Sequence, residues 1–317
     1  MELNFNKPIL LLIFNRPDTT FQVLQRIREI RPKYLFVAAD GPRAGREDDQ
    51  INCELTRDVI RKNVDWDCEL KTLFRNENLG CGFGVCSAIT WFFDQVESGI
   101  ILEDDCLPDL SFFQFCDEIL DKYKDDSRIF GITGTNVQNG ALNSNDSYFF
   151  SNYPITWGWA SWRRAWKHFR YEIPDYISAF KSGELDHFFQ SRGEKKYWMK
   201  KIKMGVTEKQ NIWDYQWWFA IWKNKGMIVT PNCNLILNLG FRDTGSHTFL
   251  HDSKREPTIE GPVKFPLNHP IRVSVDREAD KRTFLNAYSH SFSRIFRLIR
   301  ENGWWNVIKY TTKRLGI

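Results

Sequence analysis

The chain has 317 residues, 42% hydrophobic and 26% charged, with a net charge of +4. That length gives one large domain or two with ample core, and so mild a balance excludes a nucleic-acid partner argued from charge alone. The seven cysteines form no CxxC or Cys/His pattern. This excludes a zinc ribbon and points to a reducing cytoplasm, and with no signal-peptide core in Met1 to Lys7 and no run of spanning length a cytoplasmic chain is expected.

Pro8 to Phe14 is an apolar run read as the first strand, ended by Asn15-Arg16-Pro17-Asp18. Thr19 to Ile30 has helical spacing of Phe21, Leu24, Ile27 and Ile30. Tyr34 to Ala39 is the second strand, closed by the turn Asp40-Gly41-Pro42-Arg43. Glu54 to Lys62 reads as a helix, Glu69 to Phe74 as the third strand, Asn76 to Gly84 as a Gly-rich loop and Val85 to Val96 as a helix. The apolar run Gly99 to Leu102 then ends in Glu103-Asp104-Asp105, and Pro108 forbids its continuation as a central strand. A helix over Phe112 to Tyr123 and a strand over Ile129 to Thr133 follow.

This alternation predicts an α/β fold with a doubly wound, mostly parallel sheet. The second half is less regular. Tyr148 to Phe150 reads as a strand, and Trp157 to Trp162 as a turn entering a helix. Ile173 to Tyr197 reads as short helices, Trp213 to Lys225 as a helix, and Met227 to Val229 and Leu235 to Leu239 as strands. From Arg282 to Lys313 aromatic and aliphatic residues recur at helical spacing among Arg and Lys, as in an amphipathic helix for an anionic membrane surface or for another part of the protein. The thirteen tryptophans suit either sugar-stacking surfaces or a Trp-rich core.

Every early strand ends in polar groups: Asn15 and Arg16, then Asp40, then Asn76, Asn78 and Gly80, then Glu103 to Asp105. In a parallel sheet these ends share one edge, where ligands bind. Singly, Arg16 reads equally as a surface ion pair, Asp40 as a turn-former, the glycines as a plain loop and the acids as an acidic turn. Together they point to a site. Three adjacent acids repel unless a cation offsets them, and Mg²⁺ or Mn²⁺ shared with substrate phosphates suits such oxygen ligands.

These residues also carry a resemblance. Phe14-Asn15-Arg16-Pro17, Ala39-Asp40-Gly41, Asn78-Leu79-Gly80, and Glu103-Asp104-Asp105 followed by Pro108-Asp109-Leu110-Ser111-Phe112-Phe113 occur in this order. So arranged, the sequence resembles nucleotide-sugar glycosyltransferases of the GT-A (Rossmann-like) fold. Within them it is most similar to the Golgi mannosyl-glycoprotein N-acetylglucosaminyltransferase family and to bacterial surface-polysaccharide relatives. Ile132 to Asn136, Pro154 to Trp159, Trp213-Asp214 and Gly245-Ser246-His247 extend the likeness to about residues 8 to 250.

The resemblance implies that Arg16 and Asp40 hold the uridine of a UDP-sugar. It implies that Asp105 binds Mn²⁺ (or Mg²⁺), with Asp104 and Glu103 beside the donor, as are Asn78 and Gly80. Ser246 and His247 would close over the diphosphate, Trp157 and Trp159 would face the acceptor, and Asp214 would be the catalytic base. The family often has a second acid after that Asp, where this chain has Tyr215 and Gln216. Asp214 reads equally as a helix N-cap, and Asp175, Asp186 and Asp243 compete with it as bases.

The expected layout is a GT-A domain over residues 1–255, with a nucleotide-sugar half (1–135) and a mixed acceptor half (136–255), then a C-terminal extension over 256–317 with the basic helical tail. The expected activity is metal-dependent and inverting. It transfers a sugar, GlcNAc first, from a UDP-sugar to a glycan or lipid-linked glycan acceptor in surface-polysaccharide assembly. The chain would be cytoplasmic or peripheral on the inner face of the plasma membrane, without a nucleic-acid partner. A retaining transferase of the same fold, a silent nucleotide-sugar- or carbohydrate-binding module and a metal phosphohydrolase are the alternatives.

Overall fold

The computed structural model describes residues 5–138, 144–207, 211–241, 259, 261–288, 299–300 and 304. The first half alternates: β1 (Ile9–Ile13), α1 (Pro17–Ile30), β2 (Tyr34–Ala39), α2 (Glu47–Asn63), β3 (Glu69–Phe74), α3 (Gly80–Phe93), β4 (Ser98–Glu103), β5 (Cys106–Pro108), α4 (Leu110–Lys122) and β6 (Ile129–Thr133). Then follow β7 (Tyr148–Ser151), β8 (Trp159–Trp162), α5 (Arg163–Trp166), α6 (Tyr176–Ser182), α7 (Arg192–Thr207), α8 (Asp214–Lys223), β9 (Met227–Pro231), β10 (Ile236–Asn238) and α9 (Arg277–Thr283).

Eight strands form one sheet in the order β3-β2-β1-β4-β8-β6-β9-β7. The chain steps outward from β1 through β2 to β3, then crosses to the other side of β1 as β4. That reversal is the topological switch of a doubly wound sheet. Only β8 and β7 run against the other strands of this sheet. The fold is therefore the doubly wound, mostly parallel α/β sheet that the alternation predicts. The edge strand β3 carries Glu69 and Lys71 and is partly exposed, which blunts an open edge.

Alternate residues of the central strands feed two cores. Ile9, Leu11, Ile13, Leu35, Val37, Ile100 and Leu102 pack with α1 and α4 on one face. Leu10, Leu12, Phe36, Ala38 and Ile101 pack with α3, α5 and α8 on the other. Because both faces are covered, these strands read as unbroken apolar runs. Helix α8 is apolar all round for the same reason: Trp217 and Ile221 face the sheet core, and Trp218, Phe219 and Trp222 face a third core with α6 and α7.

Three expectations change. Trp157 to Trp162 does not enter a helix; Trp159 to Trp162 is β8, inserted between β4 and β6 with all four residues buried. Helix α2 starts at Glu47 rather than Glu54, because its acidic first turn suits a helix N-terminus and Asp49 is buried on the Arg43 guanidinium and on the amide of Asn15. Helix α3 starts at Gly80, so the Gly-rich stretch is its first turn and not a loop.

Among the described residues, no helix is long and apolar enough to cross a membrane. The basic tail after residue 288 lies almost wholly outside them. The segment 261–288 packs on the main body: Val263 and Leu267 join the first core, and α9 docks on β7. There the buried Asp280 accepts from the Ser151 hydroxyl (2.6 Å) and the Asn152 N–H (3.1 Å).

Burial pushes the Asp280 carboxyl up to about 7, against the opposing hydrogen bonds. A carboxyl raised in the folded state contributes stability at acid pH that is lost as pH rises toward its folded value. Thermal unfolding is therefore expected to show a loss of stability between pH 5 and pH 8 that is smaller in Asp280→Asn. An identical pH slope in the variant would show that this dock does not titrate.

Candidate active site

The site forms where β1 and β4 end side by side, at the switch point. Pro17 opens α1 and leaves Arg16 just before the helix, with no capping duty. Its side chain crosses to the turn after β4. Arg16 Nη1 donates to Asp105 Oδ2 (2.7 Å) and to Asp104 Oδ1 (3.3 Å), and the Phe14 N–H donates to Asp104 Oδ2 (3.0 Å). The three side chains are 25% (Arg16), 9% (Asp104) and 15% (Asp105) exposed, so the ion pairs are largely shielded from water.

Burial opposes the Arg16 charge, but Asp104 and Asp105 outweigh it and hold the guanidinium proton more tightly than usual. Burial, and then the charge of Asp105, pushes the carboxyls of Glu103 and Asp104 well above the carboxylate range. One guanidinium does not neutralise this acidic turn.

The chain after Asp105 explains the motif that follows it. Pro108 ends β5, Asp109 caps α4 by accepting from the Ser111 N–H (2.9 Å), and Phe112 and Phe113 are buried. Strand β5 pairs with β10, which brings the next residues over the acidic turn: Leu239 N–H donates to the Asp105 carbonyl (2.7 Å). Ser246 and His247 lie outside the described residues, as does Asp243.

Asp40, at the end of β2, is differently employed. Its carboxylate accepts from the N–H groups of Gly41 (3.1 Å), Leu79 (3.0 Å) and Gly80 (2.9 Å). It thus caps α3, whose own N-cap residue Leu79 supplies no side-chain cap. Asn78 reinforces the joint by donating to the Gly41 carbonyl (2.8 Å). Gly80 and Gly82 make room for protein: a Cβ on Gly80 would lie 1.8 Å from Asn211 Nδ2, and one on Gly82 would lie 2.7 Å from Asn211 Oδ1 and from the Tyr171 hydroxyl. The close neighbours at these glycines are the side chains of Asn211 and Tyr171.

Asp214 is the first residue of α8, and Trp213 holds the N-cap position. Its Oδ1 accepts from the Tyr215 N–H (3.0 Å). Burial pushes its carboxyl up to about 6, tempered by those backbone N–H groups and by Lys201. Its charge acts on both Glu103 and Cys81, so it lies near the end of β4. The rival bases stand apart: Asp175 pairs with Lys223 and Asp186 with Lys195, both at the exposed surface.

The expected acceptor tryptophans divide. Trp159 is 3% exposed and stacks on Trp213 at 5.8 Å, so it is a core residue and no acceptor surface. Trp157 is half-buried against the first core, and its carbonyl accepts from the Thr135 hydroxyl (2.7 Å). Sequence reasoning misses Asn211, Tyr171 and Cys81 as neighbours of the site. Crowding by the surrounding protein, and then the charge of Glu103, pushes the Cys81 thiol upward, although its side chain reaches the surface.

Among the described residues, no three His, Cys, Asp or Glu side chains enclose a metal by themselves. The donor set still fits a hard divalent cation of the kind that takes one or two carboxylates and completes its shell from substrate phosphates and water. Asp105 is the residue that would hold it, with a carboxylate already engaged by a cationic group.

No family model matches the sequence, and no curated protein matches it. Solved structures with a related chain course include a mannosyltransferase from Pyrobaculum calidifontis in complex with GDP-Man and Mn²⁺, at 12% identity and TM-score 0.38, covering 63% of this chain and 62% of that one. S. aureus TarS 1–349 is similar at 10% identity and TM-score 0.40, over 74% of this chain and 61% of that one. A UDP-glucose pyrophosphorylase complexed with UDP-glucose is similar at 8% identity and TM-score 0.36, over 76% of this chain and 94% of that one. The chain thus spans less than two thirds of the mannosyltransferase and TarS structures.

Proposed function

We propose that the chain is a glycosyltransferase that moves a sugar, GlcNAc first, from a UDP-sugar to a hydroxyl of a glycan or lipid-linked glycan, with inversion. One observation carries this reading: Arg16, Asp104 and Asp105 meet at the switch point of the sheet, with Asp214 near enough for its charge to act on Glu103. A nucleotide diphosphate needs cationic partners at such an edge, and an incoming hydroxyl needs a carboxylate to take its proton.

Arg16 offers a guanidinium with donors in a fork that matches phosphate oxygens. Asp104 holds the end of β1 against the end of β4. When bound at Asp105, Mn²⁺ or Mg²⁺ would supply positive charge against the diphosphate as it leaves. Asp214, anchored by the Tyr215 N–H, would take the proton of the incoming hydroxyl. With one carboxylate taking the proton, the acceptor hydroxyl attacks the anomeric carbon opposite the leaving diphosphate and inverts that centre, by analogy with inverting hydrolases. Ser246, His247 and Trp157 belong to this reading as donor-closing and acceptor-side groups.

The transferase unit would be 1–255, with the donor on 1–135 and the acceptor on 136–255, its core completed by 261–288. A lipid-linked acceptor would place the chain at the inner face of the plasma membrane, with the tail 282–317 as the segment to delete. The deciding experiment is a thermal-shift screen of UDP-, GDP- and CMP-sugars with Mn²⁺ and with chelator. One UDP-sugar is expected to raise the unfolding midpoint only with the metal. No shift with any nucleotide sugar in Mn²⁺ would overturn the reading.

A further inference from the structure

We infer that Asn211 is a positioning residue: it pins the segment carrying Asp214 to the first turn of α3 and so fixes the base against the end of β4. The inference rests on the reading of Asp214 as the base. Asn211 Oδ1 accepts from the Gly82 N–H at 2.6 Å, joining positions 129 residues apart in the chain. That N–H is among the first four of α3, which have no partner within the helix.

The first turn of α3 is thus capped twice from outside. Asp40 takes the N–H groups of Leu79 and Gly80 from the end of β2, and Asn211 takes that of Gly82 from the segment before α8. A Cβ at either glycine would press on the Asn211 side chain, so a substitution at either must displace Asn211. Three residues after Asn211 comes Asp214, with only Ile212 and the buried core residue Trp213 between them. One short segment therefore has two anchors, the α3 turn and the Trp213 core contact, and Asp214 follows directly from both. A carboxylate oxygen displaced by even one ångström loses much of its effect on a transferring proton, by up to about a hundredfold.

The test is Asn211→Ala and Gly82→Ala, with Asn211→Asp as the conservative variant that keeps an acceptor for the Gly82 N–H. For both alanine variants kcat is expected to fall by on the order of tenfold to a hundredfold, with donor affinity unchanged. Asn211→Asp should recover most of the rate. The acid limb of the kcat profile should move to lower pH in Asn211→Ala, because a loosened Asp214 is better solvated. A merely structural role would lower kcat in step with the folded fraction and leave that limb in place.

Amide hydrogen exchange gives a readout that needs no turnover: residues 79–84 and 211–216 should both exchange faster in Asn211→Ala. Unchanged exchange in either segment, or a wild-type kcat, would overturn the inference. Turnover that survives Asp214→Asn would instead remove the base reading, and the exchange data would then decide the latch alone.

Discussion

Asp214→Asn is expected to lower kcat by on the order of 10²–10⁴, the usual worth of a positioned general base, with the donor-induced thermal shift intact. The carboxylate accepts from the Tyr215 N–H at the start of α8. Burial sets its carboxyl at about 6, where a base is ionised at neutral pH yet still accepts a proton readily. Activity in the parent protein should rise with pH through about 6 and level above it, and the limb should vanish from whatever rate the variant retains. The stability effect runs the other way. A carboxyl raised by burial contributes stability present below its unfolded value and lost as pH rises through about 6. At pH 8 the variant should therefore melt higher than the parent protein. A dead variant that also melts lower at pH 8 would mean that misfolding, not lost chemistry, explains the loss.

The strands that build this sheet edge were readable because both faces of β1, β2 and β4 are covered. Their apolar runs stand out against the polar residues that end them. The acidic turn was readable for the same reason, since Pro108 and the Asp109 cap bracket it within the sequence itself. The first turn of α3 was not. Glycine disfavours helix, and the groups that support Gly80 and Gly82 come from Asp40 and Asn211, far away in the chain.

Strand β8 was hidden by its own burial. Trp159 and Ser161 point one way and Ala160 and Trp162 the other, and all four are buried, so the alternation of a half-buried strand is absent. The tryptophans misled in a related way. Trp159, Trp213 and Trp217 gather in one core, where their role is packing rather than stacking on a sugar. Asp40 shows why a motif alone does not assign a role: a carboxylate at a strand end serves a ligand or a neighbouring helix, and here three backbone N–H groups occupy it.

Arg16→Ala is expected to destabilise the protein by about 3 kcal/mol in chelator, because removing one partner strands the other in a shielded setting. Asp104 and Asp105 are 9% and 15% exposed, so water does little to replace the guanidinium. For a chain of this size that loss lowers the unfolding midpoint by roughly 4–5 °C. Arg16→Lys should fall between the two proteins, since an ammonium keeps the charge but lacks the planar fork.

Adding Mn²⁺ without nucleotide separates charge from packing. Asp105 in the variant has lost the cationic group that engages it in the parent protein, so Mn²⁺ alone should raise the midpoint of Arg16→Ala more than that of the parent. If Arg16 meets the diphosphate as proposed, the UDP-sugar should in turn stabilise the variant less. A midpoint in chelator equal to the parent's would show that the pairs contribute nothing. Equal Mn²⁺ shifts in the two proteins would show that Arg16 and the cation do not share the Asp105 oxygens.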